Sequence, residues 1–355
     1  DLLYHQWWAT SGCRSQTRSS KRGFGMTQLV AQHHLASPST AVITDASSLP
    51  REAIQHSIFT DACQLVRPRI AIMVLVTVFA AMWVTSGSRE LNWLSVVGVL
   101  FGTAAVAASS SIANQILERR TDSVMARTAS RPIAAGRLSN HFAWLLSAVG
   151  FFGGFGCVWL AGNLQAACAA VLTWVLYVAV YTPLKRITPL NTAVGAVAGA
   201  LPIAIGWLAV GGPQQVLAGD ISASLAVAAL GTVLYLWQFP HFMAIAWLYR
   251  DQYGLAGLKM FTVTDSSGLR AAGQSLAASL AMIPVSLVMA VPSGSIRMFL
   301  TAALASSVYV LVSVNFAVRR DDRSARILLF TSLGVLLVLM TSAVAFSGPK
   351  MLSFS

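Results

Sequence analysis

The chain has 355 residues, of which 56% are hydrophobic and only 10% charged, with a net charge of +12 at neutral pH and a mean hydropathy of +0.67. That apolar excess excludes a water-soluble globular domain, and apolar runs that are continuous, without alternation of period two, exclude a β-barrel wall. The positive charge is dispersed over separate segments, so it is a topology signal and not the footprint of a nucleic-acid partner, and none is expected.

Residues 1–68 are rich in Ser, Thr, Gln, His and Arg and lack a sustained apolar run, which predicts a disordered or loosely attached tail. Met26 is a plausible natural start, which would make residues 1–25 non-native upstream sequence, and no cleavable signal peptide is expected because Met26 is not followed by a basic segment and a short apolar core. From Arg69 onward, apolar stretches long enough to cross a bilayer recur along nearly the whole chain. They predict nine transmembrane α-helices at 70–86, 93–113, 141–161, 165–181, 192–210, 221–248, 272–291, 295–316 and 327–346, hence an all-α, polytopic membrane domain over 69–346 and a short tail at 347–355.

Basic residues give the orientation. The segment from Arg51 to Arg69 and every second loop after it carry 17 Lys or Arg, against Arg89, Arg297 and Lys350 on the opposite side. By the positive-inside rule the basic loops face the cytoplasm of an inner membrane, with the N-terminus inside and the C-terminus outside.

At the inner end of the second span, Asn114, Glu118 and Asp122 recur at four-residue spacing. Four helical residues advance about 400°, so the three side chains fall within roughly 80° of arc and form a row of oxygen ligands on one face. Arg119, Arg120, Arg127, Arg131 and Arg137 follow, in a loop given turns by Pro132 and Gly136. Carboxylates for a hard cation beside guanidinium groups for an anion are the parts of a metal–diphosphate site, and Mg²⁺ suits it because it binds few carboxylates and fills its octahedron with water and phosphate oxygens. The plain alternative is a helix end anchored by solvated charges.

A second cluster closes the sixth span: Trp237-Gln-Phe-Pro-His241-Phe, then Tyr249-Arg-Asp251-Gln252-Tyr253. Pro240 predicts a break in helical hydrogen bonding that opens a polar site near His241. Asp251 would lie about 15 Å further along a continuous helix, so the two would touch different parts of the reactants. Lys185, Arg186 and Lys259 add cations on the same side, each also readable as a solvated loop charge. Cys13, Cys63, Cys157 and Cys168 show no metal-binding spacing, and Cys157 and Cys168 read as small apolar fillers.

These residues resemble a family. Asn114 through Asp122, Met125-Ala-Arg127-Thr and Arg131-Pro132 through Gly136-Arg137 look like the first motif of the UbiA-type intramembrane prenyltransferases, in the form carried by the protohaem IX farnesyltransferase (haem O synthase) branch. Leu65-Val-Arg67-Pro68-Arg69, Tyr181-Thr-Pro-Leu-Lys185-Arg186-Ile-Thr-Pro-Leu-Asn191, and Trp237 through Met260 look specific to that branch, and the likeness spans about residues 60–346.

The resemblance implies a nine-helix prenyltransferase bundle around a central cavity. It implies transfer of a farnesyl group from farnesyl diphosphate to the vinyl group of protohaem (haem B), with haem A synthase downstream. It further implies Asn114, Glu118, Asp122 and Asp251 as the Mg²⁺-holding catalytic groups. Arg127, Arg131, Lys185, Arg186 and Lys259 are then candidates for the diphosphate. His241, Trp237 and Tyr249 are candidates for the haem, with Phe239 as another π-face for an allylic cation. The second motif departs from the wider pattern: Gln252 stands where an acid is common, and Glu118 where many members carry Asp. Two rivals stand beside this reading, a prenyltransferase of the same fold acting on a quinone precursor or other aromatic ring, and a membrane transporter, which would place its charges nearer mid-membrane.

Overall fold

The computed structural model describes residues 58–87 and 89–347; the expected tail before residue 58, the start at Met26, and residues 348–355 lie outside them. Among the described residues there is no strand, and nine helices are long and apolar enough to span a membrane. They run Pro68–Ser86, Trp93–Leu117, Asn140–Ala161, Leu164–Leu184, Asn191–Ala209, Ser222–Leu248, Leu269–Ala290, Ile296–Arg319 and Asp322–Phe346, and are called here the first to ninth spans. A further helix, Ile58–Val66, precedes them inside the stretch expected to be a tail.

Span starts are capped where the chain turns back. Asn92 Oδ1 accepts from the amides of Leu94 and Ser95, Ser139 Oγ from Phe142, Asn163 Oδ1 from Ala166 and Ser295 Oγ from Met298. Such caps satisfy amides that a membrane-boundary helix cannot satisfy internally. Several helices outrun the apolar runs at the basic-loop end: the second reaches Leu117 and not 113, the seventh begins at Leu269 and not 272, the ninth at Asp322 and not 327. Charged side chains end hydropathy, but they do not end a helix.

Each span contacts the next in sequence, and the ninth returns to the first. The sixth also meets the first and ninth, and an apolar core around Leu230, Met282, Met298 and Leu336 joins the later spans. A second core, around Val78, Val99, Val158 and Ala170, joins the earlier ones. Between the second and third spans the contact is made by small residues at four-residue spacing, Gly98 against Ala161, Gly102 against Gly154, and Gly150 against Ala105 and Ser109. A β-carbon at Gly102 would sit 2.8 Å from the carbonyl oxygen of Gly154, and one at Gly154 would sit 2.7 Å from that of Gly102. Small residues at this spacing let backbones approach in lipid, where helix association rests on close packing. Ser109 and Ser147 hydrogen-bond across the same interface, and Trp174 Nε1 donates to Ser109.

Two helices are interrupted. The fourth passes through a π-helical stretch, Leu176–Tyr181, and the fifth changes course at Leu201–Pro202. The sixth, in contrast to the break expected at Pro240, runs unbroken from Ser222 to Leu248 and stops at Tyr249. Pro240 is carried inside the helix; its missing amide frees the Leu236 carbonyl, and one residue on the Trp237 carbonyl accepts from the buried Tyr309 hydroxyl at 2.8 Å.

Gly102→Val should therefore lower the detergent melting temperature by an amount equivalent to about 1–3 kcal/mol of overpacking. Gly153→Val should be tolerated, because a β-carbon there meets nothing within 4 Å; equal losses in the two variants would show that the close approach is not what joins these spans.

Candidate active site

The oxygen row forms at the end of the second span. The helix proper stops at Leu117, yet the amide of Glu118 donates to the Asn114 carbonyl at 2.9 Å and that of Asp122 to the Glu118 carbonyl at 2.8 Å. The four-residue repeat thus carries on into the short helix Arg119–Val124. All three side chains are buried, Asn114 fully and Glu118 to 8% exposure.

Each member of the row has one end tied and, in two cases, one oxygen left over. Asn114 Nδ2 donates to Thr182 Oγ1 at 3.0 Å, and Thr182 in turn donates to the carbonyl of Tyr177 in the π-helical stretch. Asp122 Oδ2 receives Arg131 at 2.6 Å. Asn114 Oδ1 and Asp122 Oδ1 are buried without a hydrogen-bond partner. Buried polar atoms are rarely left in that state without a ligand to meet them. Two hard oxygen atoms on one face suit a hard divalent ion such as Mg²⁺. Glu118 Oε1 is held by Lys185 Nζ at 2.7 Å, and that ammonium also lies 4.5 Å from the Tyr181 ring centroid.

The charges are finely opposed. Burial pushes the Glu118 carboxyl up, but Lys185, Arg67 and Arg131 together outweigh it and leave the group below its ordinary value. At Asp122 burial prevails over Arg131, and with Glu118 adding to the rise the carboxyl is held above its ordinary value. Burial works against the Lys185 ammonium, and Glu118 more than offsets it, so the group is held protonated.

Arg67, which sequence analysis singles out for no role of its own, belongs to this centre. Its backbone is in the left-handed region, φ 53° and ψ 66°, just before Pro68, a conformation that costs energy for a side-chain-bearing residue and tends to persist where the surroundings demand it. Its charge acts on Glu118, Asp122 and Arg131, and its Nη2 is buried without an acceptor.

The other expected residues divide. Arg127 reaches the second motif: its guanidinium lies 4.4 Å from the Tyr249 ring centroid, its Nη2 donates to the Tyr253 hydroxyl at 3.1 Å, and its amide donates to Gln252 Oε1 at 3.4 Å. Met125, Tyr253 and Leu258 pack together beneath, so the two motif loops share one small core. Asp251 is exposed on a separate short helix, Arg250–Leu255, and not on a continuous helix with His241, because the chain turns at Tyr249 (φ −115°, ψ 18°). Among the described residues, no three His, Cys, Asp or Glu side chains are grouped closely enough to hold a metal, so Asp251 is not gathered with Glu118 and Asp122. The Lys259 side chain is exposed, while its backbone joins the Lys185 carbonyl at 2.7 Å and accepts from buried Asn191. Arg137 is engaged elsewhere, in a bidentate pair with Asp61, and Arg186 turns to the back of the site helix.

Deeper in the bundle, His241 Nδ1 lies 2.7 Å from Ser332 Oγ. That hydroxyl donates to the Leu329 carbonyl at 2.6 Å, so it accepts from His241, fixing the proton on Nδ1 and leaving the Nε2 lone pair available. Trp237 stacks on the imidazole at 4.8 Å and is itself tied by Nε1 to the Ser332 carbonyl. Cys63, Cys157 and Cys168 are free thiols.

Lys185→Met should remove the main counter-charge of a buried carboxylate and cost about 3 kcal/mol near neutral pH. In the unaltered protein the lowered Glu118 pKa gives stability above its unfolded value and loses it as pH falls; in the variant, burial acts with its main opponent gone and the sign reverses. The melting-temperature deficit should thus shrink between about pH 8 and pH 5 and largely vanish in Lys185→Met/Glu118→Gln. A deficit independent of pH would show that Lys185 acts through packing alone.

Comparison with known proteins places this arrangement. Residues 74–344 match the UbiA prenyltransferase family. The protein named protoheme IX farnesyltransferase of Rhodopirellula baltica is 41% identical over 281 residues, covering 77% of this chain and 95% of its own length. That of Solibacter usitatus is 36% identical, covering 77% and 93%. Among solved structures, a chain from work on digeranylgeranylglyceryl phosphate synthase superposes with a TM-score of 0.66 at 14% identity, covering 81% of this chain and 98% of its own. A UbiA homolog from Archaeoglobus fulgidus bound to DMAPP and Mg²⁺ gives 0.59 at 17%, covering 81% and 99%. With the match running through seven complete spans and most of the first and ninth, and the oxygen row lying inside it, this multi-pass membrane protein belongs to the UbiA prenyltransferase family.

Proposed function

We propose that the chain transfers the farnesyl group of farnesyl diphosphate to a vinyl group of haem B, giving haem O. The observation that carries this is the buried oxygen row with two unpartnered oxygens set among Arg67, Arg131 and Lys185. The names and high coverage of the relatives support the acceptor. Asn114, Glu118 and Asp122 are the residues that would hold Mg²⁺, which when bound supplies charge neutralisation for the departing diphosphate. Asp251 is offered as an outer acid of the second motif that closes over the reactants, and Lys259 as a cation of the same cap.

Before substrate arrives, Lys185 and Arg131 neutralise the two buried carboxylates. With Mg²⁺ held by those carboxylates, Lys185 and Arg131 would be free to meet the diphosphate oxygens beside Arg67, whose buried Nη2 has no acceptor among the described residues. The C–O bond then breaks with its electron pair leaving on the diphosphate. The terminal vinyl carbon bonds to the farnesyl carbon, and water adds to the inner vinyl carbon and loses a proton, completing the hydroxyl. His241, with Ser332 fixing its tautomer, offers Nε2 to the haem, and Trp237 holds the ring flat. Arg127 joins the two motif loops through Tyr249 and Tyr253 and so couples closure of one to the other.

The basic loops, and with them the site, are proposed to face the cytoplasm of the inner membrane, with the N-terminus inside and the C-terminus outside, so that a soluble diphosphate head enters while its isoprenoid tail stays in the bilayer. The product would pass to haem A synthase.

Purified protein given Mg²⁺, farnesyl diphosphate and haem should form haem O, with kcat falling by about 10²–10³-fold in Glu118→Gln and Asp122→Asn. Wild-type turnover no higher than that of Glu118→Gln would sink the proposal, and prenylation of 4-hydroxybenzoate in its place would establish the ring-acceptor rival. In a haem titration followed by absorbance, His241→Ala should abolish the Soret shift and Ser332→Ala weaken it. An unchanged spectrum in His241→Ala would remove that residue from the acceptor site.

A further inference from the structure

The back of the site helix carries a second, separate feature. Arg120 follows Glu118 by two residues, about 200° around the helix, so it points away from the oxygen row, as do Arg119 and Ser123. There a cavity of 560 Å³ opens, lined by Arg119, Arg120, Arg186, Ser123, Asn140 and Leu117 among others. The loop of the fourth span splits its two adjacent cations between the two sides: Lys185 goes to Glu118, Arg186 to this cavity.

Three guanidinium groups line one cavity, and none has a side-chain hydrogen bond or ion pair among the described residues. Among the described residues no acidic side chain lines it. Clustered arginines without counter-charges repel one another, and the arrangement is relieved by a multiply accepting anion such as a phosphate. The cavity's fringe says which kind. Leu117 on its wall is 41% exposed, and Ile187, next to Arg186, is 70% exposed, at the ends of spans where lipid chains begin. A free diphosphate has no use for an apolar fringe; an amphiphile does. The volume also lies in the range that holds a whole organic ligand and not one small ion.

We infer that the Arg119–Arg120–Arg186 cavity binds the phosphodiester headgroup of an anionic glycerophospholipid, with its acyl chains lying along the exposed apolar ends of the second span and the 186–190 loop. Basic recesses beside spans at the membrane surface are suited to this. The bound headgroup would brace the short helix Arg119–Val124, which carries Asp122 on its other face. The inference stands apart from the identity of the prenyl acceptor.

The test uses the full chain purified in neutral detergent. Phosphatidylglycerol should co-purify in mass spectra and raise the melting temperature, whereas phosphatidylcholine should do neither. Arg119→Gln/Arg120→Gln should bind phosphatidylglycerol about 30-fold more weakly while keeping a wild-type far-ultraviolet spectrum, and Ser123→Trp, which fills the cavity with the arginines intact, should do the same. Equal stabilisation by phosphatidylcholine, undiminished binding in both variants, or displacement of phosphatidylglycerol by sodium diphosphate would each overturn the assignment, the last by making the cavity a port for the soluble substrate.

Discussion

Burying carboxylates at a membrane boundary sets the terms for the rest of this molecule. Glu118 and Asp122 are almost wholly withdrawn from water, and a charge so placed persists only with a partner. Lys185 and Arg131 are those partners, and each comes from a segment that must be brought there: Lys185 from beyond the π-helical end of the fourth span, Arg131 from the loop after the second. The π-helical turn has a use in this light. It carries the Tyr177 carbonyl that receives Thr182, and Thr182 orients the Asn114 amide so that its oxygen is the atom left unpaired.

The two motif loops are built alike. In each, a long span stops at a residue outside the helical region, Glu118 in the second and Tyr249 in the sixth, and a six-residue helix follows at once. The consequences differ. After Glu118 the backbone bonding continues and keeps Asp122, four residues on, in line with the row; it continues likewise from Tyr249 to Tyr253, but Asp251, only two residues past Tyr249, falls on the other side and is exposed. What binds the loops together is then not a shared metal ligand but Arg127, seated on Tyr249 and bonded to Tyr253, above a core of Met125 and Leu258. A guanidinium on aromatic faces gives directional cohesion without closing the site permanently.

Much of this was legible in the residues because the signals are local. Continuous apolar runs define spans, and the spacing of Asn114, Glu118 and Asp122 defines a face, whatever the rest of the chain does. Span ends were read short because hydropathy falls at the first charge while the helix persists, as at Leu117 and Asp322. Gly98, Gly102, Gly150 and Gly154 offered a readable packing signal that hydropathy does not register. The pairing of residues 67 apart, such as Glu118 with Lys185, could not be read, nor could the seating of Ser332 beside His241, since both depend on how distant spans are set side by side. Arg67 was hidden for another reason: its part follows from a left-handed backbone before Pro68, and nothing in an Arg-Pro pair announces that conformation.

A prenyl cation survives only where water is scarce, and diphosphate leaves only where charge is well met, so the two requirements pull a site toward opposite environments. This fold meets both by placing them at different depths. The Asn114–Asp122 row and its cations lie at the basic-loop end, where buried groups still neighbour a polar surface. The His241–Trp237–Ser332 group lies within the sixth and ninth spans, where every polar atom of the group has a partner except the imidazole nitrogen turned to no hydroxyl. The isoprenoid is the one reactant that needs to touch both levels, its diphosphate at the rim and its reacting carbon below. That geometry asks for firm walls and a rim joined by side chains, which is how the chain is built: glycine-knit spans with tight cores, and two loops joined by Arg127, which lies on one ring and bonds to another, and by the small core beneath it.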